Sequence, residues 1–232
     1  MNKLTLQAQI EVAIRQLSRE FLDDPYRYFT EADAVSRCRQ LLELNDELGK
    51  DYKTKDGHKI MLIHQEYPTS YRYEGKAPLV PTSKGRRGHY DLVILNPDFI
   101  EANNAESITN RLLKHAAPDQ KGSIVAVIEF KLSYRGWSPG AYRNATIDLQ
   151  KLAASKADLA YAVMFMRYNA PSMRRWEIYW PKICDEVKKP DVGSIRSIYT
   201  VHWLNIQTKE PNTYLFGQWQ LSQASSSMKG GK

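Results

Sequence analysis

At 232 residues the chain is long enough to bury the core of one domain of ordinary size, and a second domain is not required. A formal charge of +7 and a pI near 9.2 favour an anionic partner such as nucleic acid, although a modest cationic excess also serves solubility. Cys38 and Cys184 make neither a disulfide framework nor a zinc pattern; with no apolar leader at the amino terminus and no membrane-length apolar run, a cytoplasmic protein without a membrane partner is expected.

Two helices are predicted over 3–24 and 30–48, separated at Asp24-Pro25. The first carries an apolar stripe at Leu6, Ile10, Ala13, Ile14, Leu17 and Phe21, the spacing of a core-facing helix. Thr30 and Asp33 read as a capping box at the start of the second. Strands follow over 58–67 and 88–96, joined by a loop rich in Tyr, Pro, Gly and basic residues that ends in Lys84-Gly-Arg-Arg-Gly88. Pro97-Asp98 reads as a turn, and 105–116 as a helix inserted before the next strand, 123–133. A turn at 133–140 leads into a helix over 141–158. A buried strand at 160–167 then completes a parallel strand-helix-strand crossover. Aromatic strands are expected near 175–181, 198–206 and 214–221, and 223–232 reads as a disordered tail.

The strand 123–133 is apolar until Glu129-Phe-Lys131, where a carboxylate and an ammonium project from one face while Phe130 turns to the other. The same acid-x-Lys spacing occurs at Asp51-Tyr-Lys53, Glu74-Gly-Lys76, Asp119-Gln-Lys121 and Glu186-Val-Lys188, but in polar or turn-like surroundings where a solvated ion pair suffices. For Glu129 and Lys131 the competing reading is an edge strand leaving the core. Asp91 is the single acid in the apolar run His89-Tyr-Asp-Leu-Val-Ile-Leu95; alone it would read as an acid following a turn. An Asp, a Glu and a Lys gathered at the ends of buried strands would hold a hard cation against a phosphodiester, with the Lys beside the attacking water.

The ordered set Asp91-Leu-Val-Ile-Leu, Val127-Ile-Glu-Phe-Lys131 and Asp148-Leu-Gln-Lys-Leu152 resembles the PD-(D/E)XK, or restriction-endonuclease-like, nuclease superfamily over roughly residues 11–167. The resemblance implies an α/β fold with a mixed central sheet flanked by helices, here with additional C-terminal strands, in one nuclease-like domain over 1–222. That domain would comprise N-terminal helices over 3–48, a catalytic core over 58–167 and the strands of 175–221. It implies one or two Mg2+ ions, replaceable by Mn2+, held by Asp91 and Glu129 with the Phe130 carbonyl as a further oxygen, and Lys131 orienting water or stabilising charge. Pro97-Asp98 is a literal Pro-Asp, but Asp91 is the better ligand because it sits on a rigid element. The family also offers a helix-borne Glu near the amino terminus. Glu11, Glu20 and Glu31 compete for that role, and Glu31 is preferred, although a first-turn acid also stabilises a helix through its dipole. Glu66, at the end of its strand, would face the site or solvent.

The expected function is a Mg2+-dependent deoxyribonuclease. Arg86, Arg87, His89 and Lys151 are candidate phosphate contacts, and Tyr71 and Tyr73 are candidates for base stacking. Each of these also fits a solvated loop or helix face. A catalytically inactive nucleic-acid-binding or assembly module on the same fold is the alternative, and cleavage of both strands would favour a homodimer.

Overall fold

A computed structural model describes residues 3–73, 86–113, 121–133, 138–168, 173–187, 196–204, 211–212 and 215–216. The first helix, α1 (Lys3–Asp23), buries the whole predicted stripe from Leu6 to Phe21. Helix α2 (Glu31–Glu43) begins at the predicted box: Thr30 Oγ1 accepts from the Asp33 N–H, and Asp33 Oδ2 accepts from the Thr30 N–H. The helix predicted over 30–48 is interrupted. Asn45 accepts from the N–H groups of Glu47 and Leu48 and starts the separate turn α3 (Asp46–Gly49).

A small antiparallel pair, β1 (Asp51–Lys53) and β2 (Lys59–Met61), precedes the main sheet. The predicted strand 58–67 is thus divided between β2 and β3 (Ile63–Tyr73). The next strand, β4 (Arg86–Leu95), also starts earlier than expected, so the hairpin extends into the predicted loop. Between Pro68↔His89 and Arg72↔Arg87 the pairing slips, four steps on β3 matching two on β4. The backbone of Arg86 and Arg87 lies in β4, whereas their side chains, those of Tyr71 and Tyr73, and the tail 223–232 lie outside the described residues.

Pro97-Asp98 opens a short helix, α4 (Pro97–Ala102), rather than a turn. Asn96 caps it, and Pro97 fills the first position, where a missing N–H costs nothing. Helix α5 (Ala105–Leu113) precedes β5 (Ile124–Ser133). Helix α6 (Pro139–Ala153), capped by Ser138, ends earlier than expected and leads to β6 (Leu159–Tyr168). The segment expected as a strand at 175–181 lies in helix α7 (Met173–Val187). The reason is topological: β6 and β7 (Arg196–Leu204) are parallel, so the chain between them must cross back, which a helix does. Two short strands, β8 (Pro211–Asn212) and β9 (Leu215–Phe216), both pair antiparallel with β7.

The main sheet is mixed, in the order β3-β4-β5-β6-β7-β8, antiparallel from β3 to β5 and parallel from β5 to β7. Helices flank it. On one face Phe165 of β6 stacks on Phe21 of α1, ring centroids 4.8 Å apart, and α2 leans over β3, β4 and β5. The other face of β5 carries Glu129 and Lys131 towards α6. No helix among the described residues is long and apolar enough to cross a membrane.

Candidate active site

The site begins where two antiparallel strands part. The β4–β5 ladder runs from Leu95↔Ile124 to Leu92↔Ile128 and stops one residue short of Asp91. Alternate N–H groups of β5 turn towards β4, and beyond the break they need other acceptors. Asp91 Oδ2 takes the Phe130 N–H at 2.6 Å, and Glu31 Oε1 takes the Leu132 N–H at 3.3 Å. Two carboxylates thereby replace the missing strand. A cleft of about 530 Å³ opens over this seam, lined among others by Thr30, Glu31, Gln65, Glu66, Asp91 and Leu132. Glu66, flanked by the pairs Gln65↔Leu92 and Tyr67↔Tyr90, is the one described non-glycine residue with positive φ, at 51°.

On the α6 side an unbroken chain of ion pairs joins the acids. Lys131 Nζ lies 3.1 Å from Glu31 Oε1 and 3.2 Å from Asp148 Oδ2. Lys151 Nζ lies 3.4 Å from Asp148 Oδ1 and 2.7 Å from Glu129 Oε2, and it donates to the His89 carbonyl at 2.8 Å. The order is Glu31–Lys131–Asp148–Lys151–Glu129, with Asp91 near enough to Glu129 for their charges to oppose one another. Among the described residues four carboxylates therefore share two ammonium groups, and full ionisation of these six would leave a surplus of two negative charges.

At Asp91 and Glu129 burial dominates. Burial, only partly offset by the Phe130 N–H and by Lys151, pushes Asp91 up to about 6. Burial and the adjacent Asp91 charge hold Glu129 well above the usual carboxylate range, against the pull of Lys151. Burial alone would lower both lysines. The charges of Asp148 and Glu31 on Lys131, and of Glu129 and Asp148 on Lys151, outweigh it and raise both.

Glu129 is 3% exposed, and its Oε1 is buried without a hydrogen-bond partner among the described residues. An orphaned carboxylate oxygen beside a second, half-buried acid fits a hard divalent cation. Mg2+ needs only one or two protein carboxylates, filling its other positions with water and substrate oxygens. No group of three His, Cys, Asp or Glu residues among the described residues is arranged to hold a metal ion, so Asp91 and Glu129 would have to do so as a pair.

Asp91, Glu129, Lys131 and Glu31, scattered through the sequence, meet here. Of the three competing helix acids, Glu31 is the one in the cluster. Glu20 binds Arg37 at 2.7 Å and the Tyr28 hydroxyl at 2.9 Å, and Glu11 accepts from Gln7. Phe130, expected to lend its carbonyl to an ion, enters through its N–H. Lys151, expected to reach a phosphate, is instead 6% exposed and turned onto Glu129, because α6 packs this side chain against the sheet. His89 is exposed and contributes its carbonyl. Asp148 was not singled out as a functional residue by the sequence. Its signal was the three-residue spacing to Lys151 beside the buried Leu149 and Leu152. Comparison of the chain with protein-family models, curated proteins and solved structures gives no match.

Proposed function

We propose that this protein is a metal-dependent nuclease of the restriction-endonuclease-like class, hydrolysing phosphodiester bonds in DNA with Mg2+, or Mn2+ in its place. One observation carries the reading: two acids from adjacent strands come together at a parted seam, one with a buried oxygen that has no hydrogen-bond partner among the described residues, and the lysine of the same acid-x-Lys strand joins their cluster through Glu31 and Asp148. The antiparallel-then-parallel strand order agrees with this class, and the charge of +7 suits a polyanionic substrate.

A divalent cation bound at Asp91 and Glu129 would polarise the scissile phosphate and make a bound water acidic. Lys151 grips Glu129 through Oε2 and so fixes the carboxylate with Oε1 directed elsewhere. Lys131, held between Glu31 and Asp148, keeps its ammonium charged where it would orient the attacking water or neutralise charge developing on the phosphate.

The test is incubation of the full chain with plasmid, linear duplex, single-stranded DNA and RNA, with and without Mn2+, beside Glu129→Gln and Lys131→Ala. Cleavage should require the ion and be lost in Glu129→Gln. Lys131→Ala should lower turnover by roughly 10²–10³ with little change in DNA binding. Wild-type turnover by Lys131→Ala would remove its catalytic assignment. Cleavage of none of the substrates would sink the enzyme.

A second reading is favoured by the pairing of the acids with lysines and by the lack of a three-ligand cluster among the described residues. A binding or assembly module on this scaffold would retain the acids as a structural polar cluster. It would bind DNA equally well in chelator, whereas the nuclease should bind Mg2+ or Mn2+ in a manner lost in Asp91→Asn.

A further inference from the structure

We propose that Tyr26, Arg27 and Phe29, in the segment between α1 and α2, form a stacking platform for unpaired bases and direct a single-stranded stretch of DNA into the cleft. The inference rests on the nuclease reading for its purpose, but its geometry is independent of the acids. Phe29 is 78% exposed and Tyr26 is 70% exposed, and the exposed Arg27 lies between them in sequence. Phe29 immediately precedes Thr30 and Glu31, which line the cleft.

This exposure is imposed by anchors on both sides. Tyr28 points inward, 3% exposed, with its hydroxyl on Glu20 Oε2 at 2.9 Å and its ring stacked against Phe165. The N–H groups of Phe29 and Thr30 both donate to Asp33 Oδ2, at 2.9 and 2.8 Å. The ring therefore stands on a backbone tied to the first turn of α2. An apolar residue just before a helix cap ordinarily packs against the fourth helical residue, here Ala34, as a hydrophobic staple. Ala34 is buried and Phe29 is not, so that explanation is absent.

Aromatic rings alternating with a cation suit single strands: every base offers a π-face, and the guanidinium meets the phosphates. In a duplex the bases are already stacked on each other, so an isolated surface ring discriminates for unpaired ones. Phe29 stands two residues before Glu31, which lines the cleft together with Asp91, so a strand held on its ring would be led towards the acids where its backbone would react.

Binding is measured by anisotropy with a single-stranded oligothymidine and with a duplex, in chelator, so that no cleavage is needed. Phe29→Ala should weaken single-strand binding by roughly tenfold or more and leave duplex binding within about twofold. Arg27→Ala should weaken both and reduce the salt slope by about one unit. Phe29→Trp should bind as the wild type, and the new indole should be quenched by the oligonucleotide. Leu44→Ala, another exposed apolar side chain on the far end of α2, should change nothing. Unchanged binding by Phe29→Ala, no single-strand binding by the wild type, or an unquenched indole overturns the platform. A dimer that becomes monomeric on Phe29→Ala also overturns it and assigns the patch to a second copy. A protein that binds single strands through Phe29 yet cleaves nothing retains the platform and loses the nuclease.

Discussion

Asp91 occupies a position where its charge is expensive. Its carboxyl titrates near 6 when folded and near 3.9 in an unfolded chain, so between these values the native state holds the extra proton. Stability from this group is therefore full below about pH 4 and is lost as pH rises through 6. Asp91→Asn keeps an acceptor for the Phe130 N–H without the charge. In metal-free denaturant melts it should be more stable than the wild type at pH 8, by on the order of 2 kcal/mol, with the gap closing towards pH 4. Added Mg2+ should stabilise the wild type at pH 8 and do little for Asp91→Asn. Greater stability of the wild type in metal-free buffer at pH 8 would refute the burial penalty. Glu129 and Lys131 were legible in the sequence because a charge inside an apolar strand is costly and invites a cause, and Asp91 became legible only beside that second strand. Asp148 was hidden because an acid on a helix reads as solvated unless the face it occupies is known to be buried.

Helix α6 docks on the sheet through an apolar stripe interrupted by Asp148 and Lys151, so this element supplies the links between acids that α2 and β5 contribute separately. Asp148→Asn should cost little stability, within about 1 kcal/mol, because each lysine retains another carboxylate and the cluster is already rich in acids. Its turnover should fall at least tenfold, and Asp148→Asn combined with Lys131→Ala should be no slower than Lys131→Ala alone. Additive losses would mean that Asp148 acts by another route. At this scale sequence reading succeeded where one periodicity or one cap was decisive, as in the stripe of α1 and the Thr30–Asp33 box. It failed at 175–181, where the aromatic run Trp176-Glu-Ile-Tyr-Trp180 has strand composition but the parallel neighbours β6 and β7 demand a crossing helix. Pro97-Asp98 misled for the opposite reason, since proline marks helix starts as well as turns.

The chain is cationic as a whole but gathers acids at the seam, a contrast that would attract a polyanion globally while reserving the seam for a small cation. Three phosphate contacts would give a salt slope near −2.7, so DNA affinity should fall by roughly forty-fold between 50 and 200 mM salt. Affinity insensitive to salt would leave the +7 without a role in binding. The apolar runs made the parallel strand-helix-strand crossover legible and the family resemblance implied the mixed sheet, whereas the parting of β4 from β5 leaves no trace in composition. That parting gives Asp91 and Glu31 a second duty as stand-ins for backbone, each capping a main-chain amide that no strand reaches. Truncation to alanine at either position would remove a charge and strand an amide together, so lost activity and a loosened sheet would arrive in the same variant. Only shape-preserving amides, Asn at 91 and Gln at 31, separate the chemistry of these acids from their carpentry.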